Sequence, residues 1–195
     1  TKVTPARLYG VKESAGQVEA LLRQSTPNGY SGTDSVWEAL LSCSKPPRRG
    51  SWLLFGADLR AQVIEPREHG VWHLRLTCPD DLEGTISRLG CTPLPPYIRR
   101  QAGIDSTQDR SFYQTVFARN LGSAAAPTAG LHFTEALIAR IRAKGVSVIV
   151  VTLHVGLGTF QPVRTADIRH HQMHPEHYEV TPESAAQLRQ AFDSR

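Results

Sequence analysis

Between residues 17 and 77 the apolar residues come in short runs separated by turn compositions. The runs are VEALLRQ (18–24), SVWEALLSC (35–43), SWLLFG (51–56), LRAQVIE (59–65) and VWHLRLT (71–77). PNGYSGTD, SKPPRRG and PREHG lie between them. Apolar runs of this length, bounded by Gly, Pro and Asn, predict strands. Their even spacing predicts a small antiparallel barrel or sandwich. VEALL also fits a helical period, so that run taken alone admits either state.

After residue 79 the pattern changes. PDDLEGTISRLG predicts a short helix. In the CTPLPPYIRR that follows, three prolines within 93–96 exclude a helix interior and a central strand. In DRSFYQTVFARN, Phe112, Tyr113, Val116 and Phe117 fall at i, i+1, i+4 and i+5, one face of a predicted helix. EALIARIRAK predicts another, with Thr134 as N-cap, an apolar stripe of Leu137, Ile138 and Ile141, and Gly145 at the C-terminal stop. VSVIVVTLHV (146–155) is a β-branched run of the kind found in buried parallel strands. With SAAA (123–126) as the preceding strand, it completes a predicted βαβ unit.

That reading turns two odd stretches into loops. PTAGLHF leaves the carboxyl end of one strand, and VGLGTFQPV leaves the carboxyl end of the next. Open α/β sheets bind ligands at that edge. His132 and His154 are therefore expected to face one crevice, together with the amides of a helix N-terminus.

The chain has 195 residues, of which 40% are hydrophobic, enough for one large domain or two small ones with a packed core. No stretch approaches the roughly 18 apolar residues of a membrane helix, and TKVTPARLYG has no basic region followed by an apolar one, so neither a membrane span nor a secretion signal is read. Cys43, Cys78 and Cys91 are odd in number, widely spaced and without a CxxC, which predicts reduced thiols rather than a disulfide frame or a zinc knuckle. The net charge of +4 is concentrated in residues 96–195, with 11 Lys/Arg against 8 Asp/Glu. An excess of this size permits a nucleic-acid partner without demanding one.

Six of the eight histidines lie between residues 132 and 177. His170, His174 and His177 have the i, i+4, i+7 spacing of helical metal ligands. Pro175 interrupts such a helix, however, and EHYEV (176–180) alternates like a strand, so a metal site is not expected. His69 and His73 flank a turn and a strand and are expected to face solvent. Gly156-Leu157-Gly158-Thr159 lacks the third glycine of a dinucleotide fingerprint. Tyr97, Arg99 and Arg100 combine an aromatic with two cations, a set able to stack on a base and hold a phosphate; surface arginines at a helix start are the plainer reading.

Five segments, in order, carry a resemblance. APTAGLHFT, TLHVGLGTFQPV, LPPYIRR, YQTVFA (113–118) and MHPEHYEV (173–180) together resemble the S-adenosylmethionine:tRNA ribosyltransferase-isomerases of queuosine biosynthesis. The resemblance runs over essentially all of residues 1–195, with ARLYG (6–10) fitting the entry to the looser, barrel-like part. It implies an α/β domain with an inserted small antiparallel β-barrel domain. The barrel would occupy 11–90, and 1–10 with 91–195 would belong to the α/β catalytic domain. The chain looks like about the central half of such an enzyme.

The implied reaction takes the ribosyl part of S-adenosylmethionine, rather than its methyl group. It passes that moiety to 7-aminomethyl-7-deazaguanine in the tRNA anticodon loop and rearranges it, giving epoxyqueuosine-tRNA and releasing adenine and methionine. S-Adenosylmethionine is then a ribosyl-donor substrate, no metal is expected, and the location is the cytoplasm. The sulfonium acidifies the C5′ proton, so a base of near-neutral pKa suffices, and His132 and His154 are the candidates. Thr128 and Thr159 are candidates for the ribose hydroxyls, and Phe133 or Phe160 for a face against the sulfonium. Gly130, Gly156, Gly158, His174 and Glu176 complete the substrate-binding set on the matched segments. Tyr97, Arg99 and Arg100 are the candidate RNA contacts. Two other readings stay open: a non-catalytic tRNA-binding piece, and a metal-dependent hydrolase built on the histidines.

Overall fold

The structure, a computed structural model, describes residues 1–24, 32–95, 97–104, 107–160, 163, 165–171 and 175–194, without the side chains at 24, 69, 121, 157 and 160. Its contacts divide the chain into two compact units, Thr4–Ser111 and Thr1–Val3 with Phe112–Arg195.

In the first unit six strands close into an antiparallel barrel: β2 (Arg7–Lys12), β3 (Gln17–Gln24), β4 (Asp34–Cys43), β5 (Trp52–Phe55), β6 (Leu59–Pro66) and β7 (Val71–Thr77). Their order around the barrel is β2-β3-β4-β7-β6-β5. All five apolar runs between residues 17 and 77 are thus strands. VEALL lies in β3, where both neighbours pair with it and Val18, Ala20 and Leu22 alternate into the core. A strand hydrogen-bonded on both sides overrides a weak helical period. The interior is filled by side chains such as Leu8, Trp37, Leu53, Phe55, Leu74 and Leu76, each no more than 2% exposed.

Closure occurs where β2 meets β5, with Val11 opposite Leu54. Gly10 sits at that seam. A Cβ there would collide with the Leu54 carbonyl oxygen and stand 2.6 Å from the Phe55 ring. The predicted short helix is α1 (Leu82–Leu89), capped by Asp81, whose carboxylate accepts from the amides of Glu83 and Gly84. Leu82 and Ile86 of α1 join the barrel core. All but the last residue of α2 (Thr107–Phe112) also belongs to this unit. His73, expected in solvent, is half-buried, with Glu38 and Glu65 at 3.9 and 3.7 Å. Cys43, Cys78 and Cys91 are all free thiols.

In the second unit β1 (Lys2–Val3) pairs in parallel with β8 (Leu121–Ser123), and β9 (Thr152–His154) pairs antiparallel with β10 (His177–Glu179). α3 (Glu135–Ala143) is capped as expected, Thr134 Oγ1 accepting from the Leu137 amide at 3.1 Å, and it stops where the Gly145 amide reaches the Arg142 carbonyl. α4 (Pro182–Asp193) has Thr181 as N-cap and Pro at its first turn.

Three expectations fail here. The helix over 109–120 ends at Phe112, which is 74% exposed, while Tyr113 is buried. Beyond it the Gln114 side chain accepts from the Val3 amide and donates to the Val3 carbonyl, both at 2.9 Å, and Thr115 closes a local turn. Side chains that bond backbone in this way compete with a helical ladder. The strand expected over 123–126 is β8, two residues earlier. The buried parallel strand expected over 146–155 shrinks to β9, whose partner is antiparallel. Val146, Val150 and Val151 are each at least half exposed. Among the described residues no strand pairs with 146–151.

Candidate active site

The ends of β8 and β9 meet. The Ala124 amide donates to the Val155 carbonyl at 2.9 Å, and the Val155 amide donates to Ser123 Oγ at 3.1 Å. The loops that follow, 127–133 and 156–160, therefore leave from neighbouring points of the backbone. Loops springing from adjacent strand ends are where α/β units place ligand groups.

His154, the last residue of β9, stands opposite His177, the first residue of β10. Their rings are 5.6 Å apart and tilted by 45°. His154 is half-buried and His177 exposed. Gly122 lies on the other flank. Its φ is +118°, and a Cβ on it would reach within 3.3 Å of His154 Nδ1. Only a residue without a side chain combines that backbone with that approach. The carboxylate of Glu176 accepts from the Gly156 amide at 3.1 Å, tying the residue before β10 to the glycine loop after β9. His154, His177, Glu176 and Gly156 thus form one connected set.

The first loop folds as a single 3-10 turn over Thr128–His132. Gly130 packs on Thr115, where a Cβ would come within 2.9 Å of the threonine methyl. Phe133 makes an edge-to-face contact with Phe117 at 5.7 Å. Thr128 and His132 are exposed. A groove of about 650 Å³ opens beside this loop. Phe117, Phe133, Ile138 and Ile141 are among its apolar walls, and Arg119, Asn120, Glu135 and Arg142 supply polar groups. Apolar walls with a few polar groups are the usual make-up of a small-molecule site.

The structure joins His154 to His177, a partner that sequence reading considered only as one of a helical metal trio. His132 has no ring contact or hydrogen bond among the described residues. The helical trio itself does not form: His170 ends a short 3-10 turn over Ile168–His170, and His177 opens a strand. His174 lies outside the described residues. Among the described residues no three His, Cys, Asp or Glu side chains gather as a metal site. Gly158 and Thr159 lie on the 3-10 turn Leu157–Phe160. The side chain of Phe160 is outside the description.

Of the candidate RNA contacts Tyr97, Arg99 and Arg100, Arg99 and Arg100 line one cavity. Arg100 binds Asp109 with both arms of its guanidinium, at 2.8 and 2.9 Å. That carboxylate raises the Arg100 pKa above its ordinary value. Tyr97 is 77% exposed.

All of residues 1–195 match the family described as Queuosine biosynthesis protein. The chain belongs to that family. The S-adenosylmethionine:tRNA ribosyltransferase-isomerase of Syntrophotalea carbinolica is 48% identical over 193 residues, 99% of this chain and 54% of that protein. The enzyme of the same name from an Anaeromyxobacter species is 51% identical over 189 residues, 96% of this chain and 53% of its own length. A solved S-adenosylmethionine tRNA ribosyltransferase from Thermotoga maritima is 25% identical, with a TM-score of 0.35 over 99% of this chain and 45% of that one. The chain spans about half the length of the family relatives it matches. Among the described residues no helix is long and apolar enough to cross a membrane.

Proposed function

We propose that the protein transfers and isomerises the ribosyl moiety of S-adenosylmethionine onto 7-aminomethyl-7-deazaguanine in the tRNA anticodon loop, giving epoxyqueuosine-tRNA with release of adenine and methionine. Family membership over the whole chain supports this reading. The observation that carries the site is the His154–His177 pair beside the glycine loop. In this reading His154 is the base for the C5′ proton, and His177 stands beside it across the strand pair. His132 is the alternative base, on the loop that leaves the neighbouring strand end.

S-Adenosylmethionine lies in the groove beside Phe133, whose ring face suits a sulfonium. Thr128 and Thr159 serve the ribose hydroxyls, and Gly130, Gly156 and Gly158 let the substrate approach the backbone. Glu176 holds the glycine loop in place. His174 and Phe160 stay in the proposed substrate set on the motifs that carry them. A protein whose substrates are tRNA and S-adenosylmethionine is placed in the cytoplasm.

The test is mass spectrometry of precursor-containing tRNA incubated with the complete gene product and S-adenosylmethionine. The expected result is epoxyqueuosine in the tRNA, with adenine and methionine released in equal amounts. tRNA left unmodified by folded protein overturns the reading.

A further inference from the structure

The barrel-bearing unit carries a second concave site, which adds Arg7 and Tyr9 to the Arg99 and Arg100 that the sequence groups. The stretch after α1 folds back along β2, where the Arg7 amide donates to the Cys91 carbonyl and the Cys91 amide to the Arg7 carbonyl, at 3.1 and 2.8 Å. A cavity of about 340 Å³ opens between them. Tyr9, Leu94, Pro95 and Ile98 are among its walls, and Arg7, Arg99 and Arg100 bring three guanidinium groups to it.

Two of those guanidiniums are held by the protein. Arg7 donates to the Leu94 carbonyl at 3.2 Å and pairs with Glu19 at 3.3 Å. Arg100 is forked onto Asp109. Each held arginine fixes a wall of the cavity. Arg99 is different: it is exposed, and no carboxylate pairs with it among the described residues. The cavity therefore has one exposed guanidinium without a carboxylate partner among the described residues, beside two that are held. Asp109 is the one acidic residue in its lining among the described residues. The volume lies at the small end of the range for ligand pockets, the scale of a single nucleotide unit. A planar guanidinium matches phosphate oxygens, and a phenol ring beside it offers a stacking surface.

We propose that this cavity anchors one nucleotide of the RNA substrate, its phosphodiester on Arg99 and its base or ribose against Tyr9. The inference rests on the tRNA substrate assigned above. It replaces the Tyr97-Arg99-Arg100 set by Arg99 and Tyr9, with Arg7 and Arg100 as positioning residues. It also gives the barrel unit a part in recognition beyond supporting the fold.

The experiment is equilibrium binding of precursor tRNA to the complete gene product, followed by fluorescence anisotropy across a salt series, without S-adenosylmethionine. Arg99→Glu is expected to weaken binding about 10-fold or more at 0.1 M salt and to lower the log–log salt slope by about 1. Arg99→Lys is expected to recover part of the loss, since it keeps the charge and loses the fork. Arg67→Glu on β6's exit is the charge-matched control, and a thermal unfolding curve for each variant shows that it is folded. Wild-type affinity in Arg99→Glu overturns the proposal, as does an equal loss in Arg67→Glu, which would mark a general field effect. A loss of S-adenosylmethionine affinity with tRNA affinity intact also overturns it, because the cavity would then hold the smaller substrate's carboxylate. Because no turnover is needed, an enzyme that binds tRNA through Arg99 but fails to modify it would sink the proposed reaction and leave this site standing.

Discussion

His154 and His177 occupy directly opposed positions of an antiparallel strand pair, with their rings 5.6 Å apart. Opposed positions bring side chains close enough to act on one another. Loss of a positioned proton acceptor costs about 10²- to 10⁴-fold in rate. His154→Ala is therefore expected to lower kcat by that range, and His177→Ala by less. Steady-state kinetics with saturating tRNA would read both. Near-normal turnover in His154→Ala would move the role of base to His132.

Gly122 guards the other flank of the same ring. Its φ of +118° is unfavourable for any other residue, and a Cβ would press within 3.3 Å of His154 Nδ1. Gly122→Ala is expected to cost about 1–3 kcal/mol in stability through backbone strain. It is also expected to lower kcat by displacing the imidazole. Thermal unfolding and kinetics on one preparation separate the two effects.

The barrel seam offers a test of the fold. Gly10→Ala forces a methyl group against the Leu54 carbonyl and the Phe55 ring. The expected loss is about 3 kcal/mol, the upper part of the range for overpacking. Leu74→Ala, at a fully buried position, is expected to lose about 2–5 kcal/mol by leaving a cavity. Urea unfolding followed by Trp fluorescence would measure both.

Tyr9 gives a pH dependence. Burial, and then the nearby Glu19 carboxylate, raise its pKa above that of a free phenol. The folded protein therefore holds the phenol proton more tightly than the unfolded chain, which releases it near pH ~10. This contribution to stability is complete below that pH and is lost as pH rises through the folded value. Tyr9→Phe is expected to flatten the stability profile on the alkaline side. Parallel profiles for wild type and variant in urea melts at rising pH would refute the assignment.

Thr134 carries the start of α3 by accepting from the Leu137 amide. Thr134→Ala is expected to cost about 1 kcal/mol, with Thr134→Ser near neutral. A thermal melt is sufficient to check it.

Much of this architecture can be read locally. Four of the five apolar runs in 17–77 read as strands from their length and flanking turn residues, while VEALL is settled as a strand by pairing on both sides. The cap at Thr134 and the stop at Gly145 are equally local, each a matter of one amide and one acceptor. The histidines at 132 and 154 were visible as unusual residues on glycine-flanked loops. The resemblance drew on the same loops, so the family was legible before any coordinate.

The failures share a cause. The valines of 146–151 have the composition of a buried strand, yet a strand exists only where a neighbour presents unpaired amides and carbonyls. The Phe112 face has a helical period, but Gln114 spends its amide on Val3, 111 residues away in sequence. Arg99 and Arg100 are adjacent in sequence, and only the chain path decides that Asp109 pairs with Arg100.

By itself, then, the order of residues determined most of the barrel strands, the Thr134 cap, the Gly145 stop and the family, because those depend on short-range patterns and on motifs. Tertiary structure alone decided that His154 meets His177, that Gly122 lies bare beside the His154 ring, and that Asp109 pairs with Arg100. Those are contacts between distant positions, and which of many chemically equivalent partners is within reach is set by chain path and strand register, neither of which a local pattern contains.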